Sequence, residues 1–308
     1  MKLLNFKTDN DIRLGVLTER GVLDVAKALD TFPAGSDAPI PVSIHEVIEG
    51  GQEAVRVLEG YIEQLAAGES DHSALWLLEK ELEWAPSVTN PNKIICVGLN
   101  YCKHAEETHA QVPEYPILFN KFNNALAANG QDIPLPKVSD KVDYEAELAV
   151  VIGREAKYVP QEQALDYVFG YCAANDLSAR DLQMRTQQWL LGKSCDKFAP
   201  IGPYLVTADE VGDPNNLDIR CKVNGEVRQN SNTSDMIFGV SEIVSYISQH
   251  MTLVPGDIIL TGTPEGVVLG YPPEQQVYLK NGDLVTIEIE KLGSLSNRMV
   301  DEVKNKAL

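Results

Sequence analysis

Residues 143–153 read Asp-Tyr-Glu-Ala-Glu-Leu-Ala-Val-Val-Ile-Gly. From Leu148 to Ile152 every position is apolar, the pattern of a strand covered on both faces rather than one with a wet side. The half that precedes it is acidic. In an extended chain Glu145 and Glu147 share a face, roughly 6.6–6.8 Å apart along the strand. Two like charges on one face repel. A solvated edge tolerates them, a bound cation rewards them, and the spacing alone leaves both readings open.

A third acid lies downstream. Tyr171 to Asn175 form a mostly small, apolar run, and Asp176 follows before Leu177-Ser178-Ala179-Arg180-Asp181. Asp176 can cap a helix that starts there. It can equally complete a site of three carboxylates, and three hard oxygen ligands suit Mg²⁺ or Mn²⁺. A third segment runs Cys96-Val97-Gly98-Leu99-Asn100-Tyr101-Cys102-Lys103-His104-Ala105-Glu106-Glu107. Here a strand ends at Gly98, and a polar helix is expected to continue to about Val112, before Pro113. That helix offers few large apolar residues to pack with, which makes it a candidate lid. His104 and Glu107 stand at i and i+3, so the carboxylate can orient the imidazole as a general base. The plainer alternative is a solvated histidine beside an acid.

The rest of the chain sets the frame. Residues 12–25 read as a hairpin turning at Glu19-Arg20-Gly21, and helical stretches follow near 43–49 and 51–66. Pro86 and Pro91 punctuate a polar link, placing a boundary near residue 90 between a small N-terminal domain (1–90) and a larger unit (91–308). Beyond it, Ile94–Val97, Leu148–Ile152, Tyr204–Val206, Ile219–Val223, Ile258–Leu260 and Leu284–Ile289 are strand candidates. Short helical pieces are expected near 161–167, 178–190 and 240–249. Strands dominate without a regular βαβ rhythm, so the fold class is mixed α/β and β-rich, a sandwich or roll rather than a doubly wound sheet.

A net charge of −19 over 308 residues excludes a nucleic-acid footprint. No window approaches the ~18 apolar residues of a membrane span, and the first ten residues lack the pattern of a signal peptide. Five scattered cysteines without a C-x-x-C pair read as reduced thiols of a cytoplasmic protein. Gly192-Lys193-Ser194 is not a phosphate loop, because the earlier glycine that such a loop needs is Gln187. Gly262-Thr263-Pro264-Glu265-Gly266 carries proline where a dinucleotide-binding helix would start. No zinc signature is present.

The acidic strand, the Asn175-Asp176 segment and the His104 segment, in this order, resemble the fumarylacetoacetate hydrolase family. The resemblance runs over about residues 91–302. It rests on G-x-N-Y-x-x-H-x-x-E at 98–107, D-Y-E-x-E-L-A-V-V-I-G at 143–153 and N-D-x-S-A-R-D-x-Q at 175–183. G-K-S-x-D at 192–196 and G-D-I-I-x-T-G-T-P-x-G-V at 256–267 complete it. It implies a mixed β-sandwich roll with a smaller N-terminal α+β domain, assembled as a homodimer. It also implies metal ligands at Glu145, Glu147 and Asp176, a lid dyad at His104 and Glu107, and a catalytic lysine at Lys193. Arg180, Gln183 and Thr263 fall at substrate-contacting positions. Two departures stand near the expected pocket: position 99 is Leu, where many acylpyruvate-cleaving members carry Arg or Lys, and Val-Val-Leu-Gly-Tyr follows Gly266.

The implied substrate is a small anionic 2-oxo acid, and the implied chemistry is enolate stabilisation beside a cation. Hydrolysis of an acylpyruvate ranks first, with a water activated by His104–Glu107. Oxaloacetate decarboxylation and isomerisation of a hydroxymuconate-type or 2-hydroxyhepta-2,4-diene-1,7-dioate-type dienol use the same enolate and are the alternatives. A non-catalytic scaffold that kept the fold is the remote one.

Overall fold

The computed structural model describes residues 1–9, 11–35, 38–67 and 75–302. The chain opens with β1 (Lys2–Lys7), β2 (Ile12–Thr18) and β3 (Gly21–Asp24), an antiparallel meander whose second turn lies at Glu19-Arg20 as expected. α1 (Val25–Thr31) begins where the Asp24 carboxylate accepts the Lys27 N–H at 3.1 Å, filling one of the donors a helix start leaves bare. α2 (Ile44–Ala67) follows. It is broken at Gly51 (φ 58°, ψ −142°), a conformation that favours glycine, one residue from the seam between the two helical stretches expected at 43–49 and 51–66. β4 (Trp76–Leu77) and β5 (Glu83–Ala85) return the chain to the meander.

The larger part runs β6 (Ile94–Gly98), α3 (Cys102–Glu107), β7 (Ile117–Lys121), β8 (Leu126–Ala127), β9 (Ile133–Leu135), β10 (Val142–Asp143), β11 (Ala146–Ile152), β12 (Val168–Asn175), β13 (Ser178–Ala179), α4 (Arg180–Gln183), α5 (Leu190–Lys193) and β14 (Ala199–Thr207). It closes with α6 (Ala208–Val211), β15 (Asp218–Val223), β16 (Glu226–Asn232), α7 (Val240–His250), β17 (Ile258–Leu260), β18 (Leu284–Ile289) and β19 (Gly293–Asp301).

Two sheets carry the fold. A 12-stranded mixed sheet has the order β4-β3-β2-β1-β14-β12-β11-β17-β6-β7, with β5 on β1 and β8 on β14. A five-stranded sheet has the order β16-β15-β18-β19-β9. The strand that reads as doubly buried is central. β11 lies between β12 and β17, and its alternate residues enter two different cores. Leu148, Val150 and Ile152 pack with Cys221, Val285 and Ile287 of the second sheet. Ala149 and Val151 pack on the opposite face with Ile48 and Leu58 of α2. Fully burying side chains of this size contributes ~1.5–3 kcal/mol each, so one short strand ties both layers together.

Strands β7, β12, β16 and β19 are not among the sequence candidates. The β12 run is rich in Gly and Ala, residues poor in strand propensity. The reason is a close approach: a Cβ on Gly170 would lie 2.2 Å from the Val206 carbonyl oxygen of neighbouring β14. The expected helix over 178–190 is instead two short helices, α4 and α5, joined by an exposed stretch at 184–188. Gly192 lets them meet, since a Cβ there would lie 2.5 Å from the Gln183 nitrogen. Among the described residues no helix is long and apolar enough to cross a membrane.

Candidate active site

The three acids come from strand ends. Glu145 precedes β11, Glu147 is its second residue, and Asp176 follows β12, whose Asn175 pairs with Ala146. Two bonds lock that junction: the Asp176 N–H donates to the Glu145 carbonyl at 3.0 Å, and the Glu145 N–H to the Asn175 side chain at 3.0 Å. Oxygens of Glu145, Glu147 and Asp176 all lie within 4.8 Å of one another, and all three residues are buried. The chain is slightly less regular here than an unbroken strand from Asp143. β10 ends at Asp143 and pairs with β13, and Tyr144 and Glu145 form the break before β11.

Cations ring the cluster. Lys193 Nζ lies 2.7 Å from Glu145 and 3.0 Å from Asp176. Arg180 donates to Glu145 at 2.7 Å, to Asp143 at 2.8 Å and to the Gln183 side-chain oxygen at 3.0 Å. Lys121, absent from the sequence candidates, pairs with Asp176 and donates to the Leu177 carbonyl at 3.1 Å. Three buried cations thus face four buried carboxylates, and Glu147 touches none of them. Among the described residues its hydrogen-bond partner is the Gly262 N–H, at 2.8 Å.

The titration behaviour follows. Burial alone would raise the Glu145 pKa, but Lys193 and Arg180 beside it overcome this and hold it at about 2. Burial, then the charges of Asp176 and Glu145, push Glu147 well above the ordinary carboxylate range. Burial would lower Lys193, yet Asp176 and Glu145 keep it above its ordinary value and therefore charged. An excess carboxylate among convergent hard oxygens is what a divalent cation would neutralise, so the residues present fit such an ion.

The dyad lies across the same cavity. His104 Nδ1 is 2.8 Å from Glu107 Oε1, and the other Glu107 oxygen accepts the Gly266 N–H at 2.8 Å. With Nδ1 carrying the proton toward Glu107, Nε2 is left as an acceptor. His104 is only 6% exposed, which argues against an ordinary solvated histidine. The helix that carries it is shorter than expected. α3 stops at Glu107 because His109 takes the left-handed conformation (φ 56°), and the Ala110 and His109 N–H groups return to Ala105 and Glu106 at 2.9 and 3.0 Å, a Schellman ending. Nor is it without anchors, since Tyr101 and Ala105 are fully buried.

Asp143 joins the two halves. Its carboxylate accepts from Arg180, from the Val268 N–H at 2.9 Å and from the Leu269 N–H at 3.0 Å. The turn so held carries Gly270, where a Cβ would lie 2.4 Å from the Glu107 carboxyl carbon. Gly270→Ala is therefore expected to displace Glu107 while leaving the fold intact, because the backbone there is not one reserved for glycine. A shift of about 1 Å is worth ~10²-fold in rate, measured as a fall in kcat without a fall in melting temperature. Asp143→Asn is expected to act on both halves. It strips a charge from the buried Arg180 pair, a change worth ~3 kcal/mol or more, and its reading is a lower melting temperature together with higher KM and lower kcat.

Thr263 accepts from Gln229 Nε2 at 2.8 Å, and Gln229 also receives the Ala146 N–H at 2.9 Å. Gln229 carries no motif signal. Gln183 and Thr263 line a cavity of about 830 Å³ together with His104, Glu107, Glu145, Glu147, Arg180 and Lys193. Arg180, one of the lining residues, has a buried Nη2 that meets no hydrogen-bond partner among the described residues. Of the nine sequence-predicted site residues, only Asp176 is not itself in the cavity lining, and it lies directly behind on Lys193 and Lys121.

Residues 93–300 match the family profile described as fumarylacetoacetate (FAA) hydrolase, C-terminal. A mitochondrial oxaloacetate tautomerase of Xenopus laevis is 45% identical over 267 residues, covering 86% of this chain and 80% of that protein. A mitochondrial oxaloacetate tautomerase of Rattus norvegicus is 42% identical over 302 residues, covering 97% of this chain and 92% of that protein. Among solved structures, the fumarylacetoacetate hydrolase of the psychrophile Exiguobacterium antarcticum superposes with a TM-score of 0.80 at 33% identity, covering 98% of this chain and 100% of that one. The mitochondrial relatives overturn the cytoplasmic expectation. Unpaired thiols do not say which compartment holds the chain.

Proposed function

The chain belongs to the fumarylacetoacetate hydrolase family, and from that premise we propose that this enzyme is a divalent-metal-dependent tautomerase of a small 2-oxo acid such as oxaloacetate. The site residues keep the roles that the motifs suggest. Glu145, Glu147 and Asp176 would hold Mg²⁺ or Mn²⁺, both hard cations suited to carboxylate oxygens. When bound, the ion supplies Lewis acidity toward the carboxylate and 2-oxo oxygens of the substrate.

The protein's own groups do the rest. Arg180 Nη2, buried and without a partner, is placed to receive a substrate carboxylate oxygen. Lys193 stays cationic beside the same oxygens and opposes the charge that develops on the 2-oxo oxygen. His104 Nε2, oriented through Nδ1 by Glu107, takes the C3 proton. The C3–H electron pair becomes the C2=C3 bond, and O2 receives the proton. Gln183 and Thr263 border the same cavity and help to orient the substrate.

The sequence motifs by themselves put hydrolytic C–C cleavage first. The observation that favours proton transfer is the 42% identity with a tautomerase over nearly the whole chain. The dyad serves either chemistry, since a base that activates water can also take a proton from carbon. A homodimer, implied by the family, is part of this reading and is checked by light scattering in solution. The deciding experiment follows the ultraviolet absorbance of enol oxaloacetate with Mg²⁺ or Mn²⁺ and with a chelator, beside a parallel assay of acylpyruvate cleavage. Metal-dependent enol–keto conversion with all carbons retained supports the proposal. Cleavage of the acylpyruvate with no acceleration of oxaloacetate tautomerisation overturns it.

A further inference from the structure

The wall of the same cavity has a charged part and an apolar part that meet at Phe119 and Lys193. All the cations on its wall, Arg180 and Lys193, stand at the carboxylate cluster. Leu99, Phe119, Met184, Trp189, Leu269 and Pro272 form an apolar wall. That wall is built rather than incidental. Trp189 seats on Gly98, where a Cβ would lie 2.5 Å from its ring, and it meets Phe119 edge-to-face with centroids 5.3 Å apart. Phe119 in turn lies under the Lys193 ammonium, 4.9 Å from the ring centre, which fixes the aromatic pair to the charged part. Yet Phe119 and Trp189 are only half-buried, and Met184 is 58% exposed. Apolar surface held open in a cavity gains free energy when an apolar group covers it.

The space agrees. Oxaloacetate has nine non-hydrogen atoms, and a cavity of about 830 Å³ is well beyond what it fills, since a single water in the liquid takes ~30 Å³. Leu99 belongs to the apolar part of the wall. It stands in the left-handed region (φ 53°) and lines the cavity one residue before the buried Asn100, which is pinned to Phe238 and Thr261.

We propose that this site also tautomerises 2-oxo acids bearing an aromatic or other apolar substituent on C3, with the substituent on the Leu99–Phe119–Trp189 wall and the 2-oxo carboxylate at the charged part. The inference rests on the tautomerase reading and extends its substrate class. The step balances without oxidant or water: the C3 proton passes to His104 Nε2, the C3–H pair forms C2=C3, the carbonyl π pair moves to O2, and O2 takes the proton from His104.

The test compares phenylpyruvate with oxaloacetate on the full chain with Mg²⁺, following the enol absorbance of each, and repeats it on Leu99→Arg. Leucine and arginine tolerate the same backbone, so the variant is expected to fold, and its melting temperature checks this. Metal-dependent acceleration of both, with kcat/KM for phenylpyruvate within about tenfold of oxaloacetate or above it, is expected. Leu99→Arg should then lower the phenylpyruvate-to-oxaloacetate ratio of kcat/KM by ~10-fold or more, because a charge replaces apolar contact. Oxaloacetate turned over with phenylpyruvate untouched overturns this inference and leaves the tautomerase proposal standing. Neither substrate turned over overturns both. An unmoved ratio in Leu99→Arg removes the substituent from that wall.

Discussion

Glu147→Gln is expected to abolish metal-dependent turnover while leaving the protein folded and, without metal, at least as stable. The two effects come from one cause. Glu147 is the carboxylate with no cation against it, and burial with Asp176 and Glu145 nearby makes its negative charge unfavourable. Glutamine keeps the acceptor for the Gly262 N–H and removes that charge, so the apoprotein gives up nothing. A divalent ion loses one of three anionic donors. Changing a residue that merely supports a metal ligand lowers affinity ~10–100-fold, and losing the donor itself should exceed that. Titration calorimetry with Mg²⁺ and Mn²⁺ on both proteins, with melting curves in chelator, makes the comparison. Unchanged affinity and turnover would remove Glu147 from the ligand set.

His104→Ala is expected to lower tautomerisation by ~10²–10⁴-fold, the range for a positioned general base, with metal affinity retained. His104 makes no hydrogen bond to the three acids, and its side-chain partner is Glu107. The carboxylate cluster therefore survives its loss. Decarboxylation of oxaloacetate needs no proton taken from carbon and no attacking water, so any such activity should fall less than tautomerisation in this variant. Rates for both reactions on the same preparation separate the roles. Tautomerisation that persists in His104→Ala would mean that another group moves the proton, and the role assigned to Glu107 would fail with it.

Much of the site is legible in the sequence because it is carried by contiguous segments. Glu147 stands in β11, and Glu145 and Asp176 adjoin strands whose apolar runs are plain, so the two-residue spacing of the glutamates is enough to bring them to one side. His104 and Glu107 share a helical face three residues apart, and they meet at 2.8 Å. Lys121 was not legible. It ends an unremarked strand, and nothing local says that it reaches Asp176 from 55 residues away. Gln229 is similar, a strand residue whose amide bridges Thr263 and β11 only because three distant segments meet there. Asp143 stood in plain view beside the two glutamates, yet its task is to hold Arg180 and the 268–269 turn, which the chain order does not reveal.

The sequence by itself determined what local physics can determine: a two-faced apolar strand must sit in a core, alternate acids must share a side, and glycine must take the broken place in α2. Only the tertiary structure decided which core each face enters, where α3 stops, and which cations balance which acids. Such choices depend on contacts between residues far apart in the chain, and the energy of a buried charge depends on every neighbour packed against it rather than on the residues beside it in sequence.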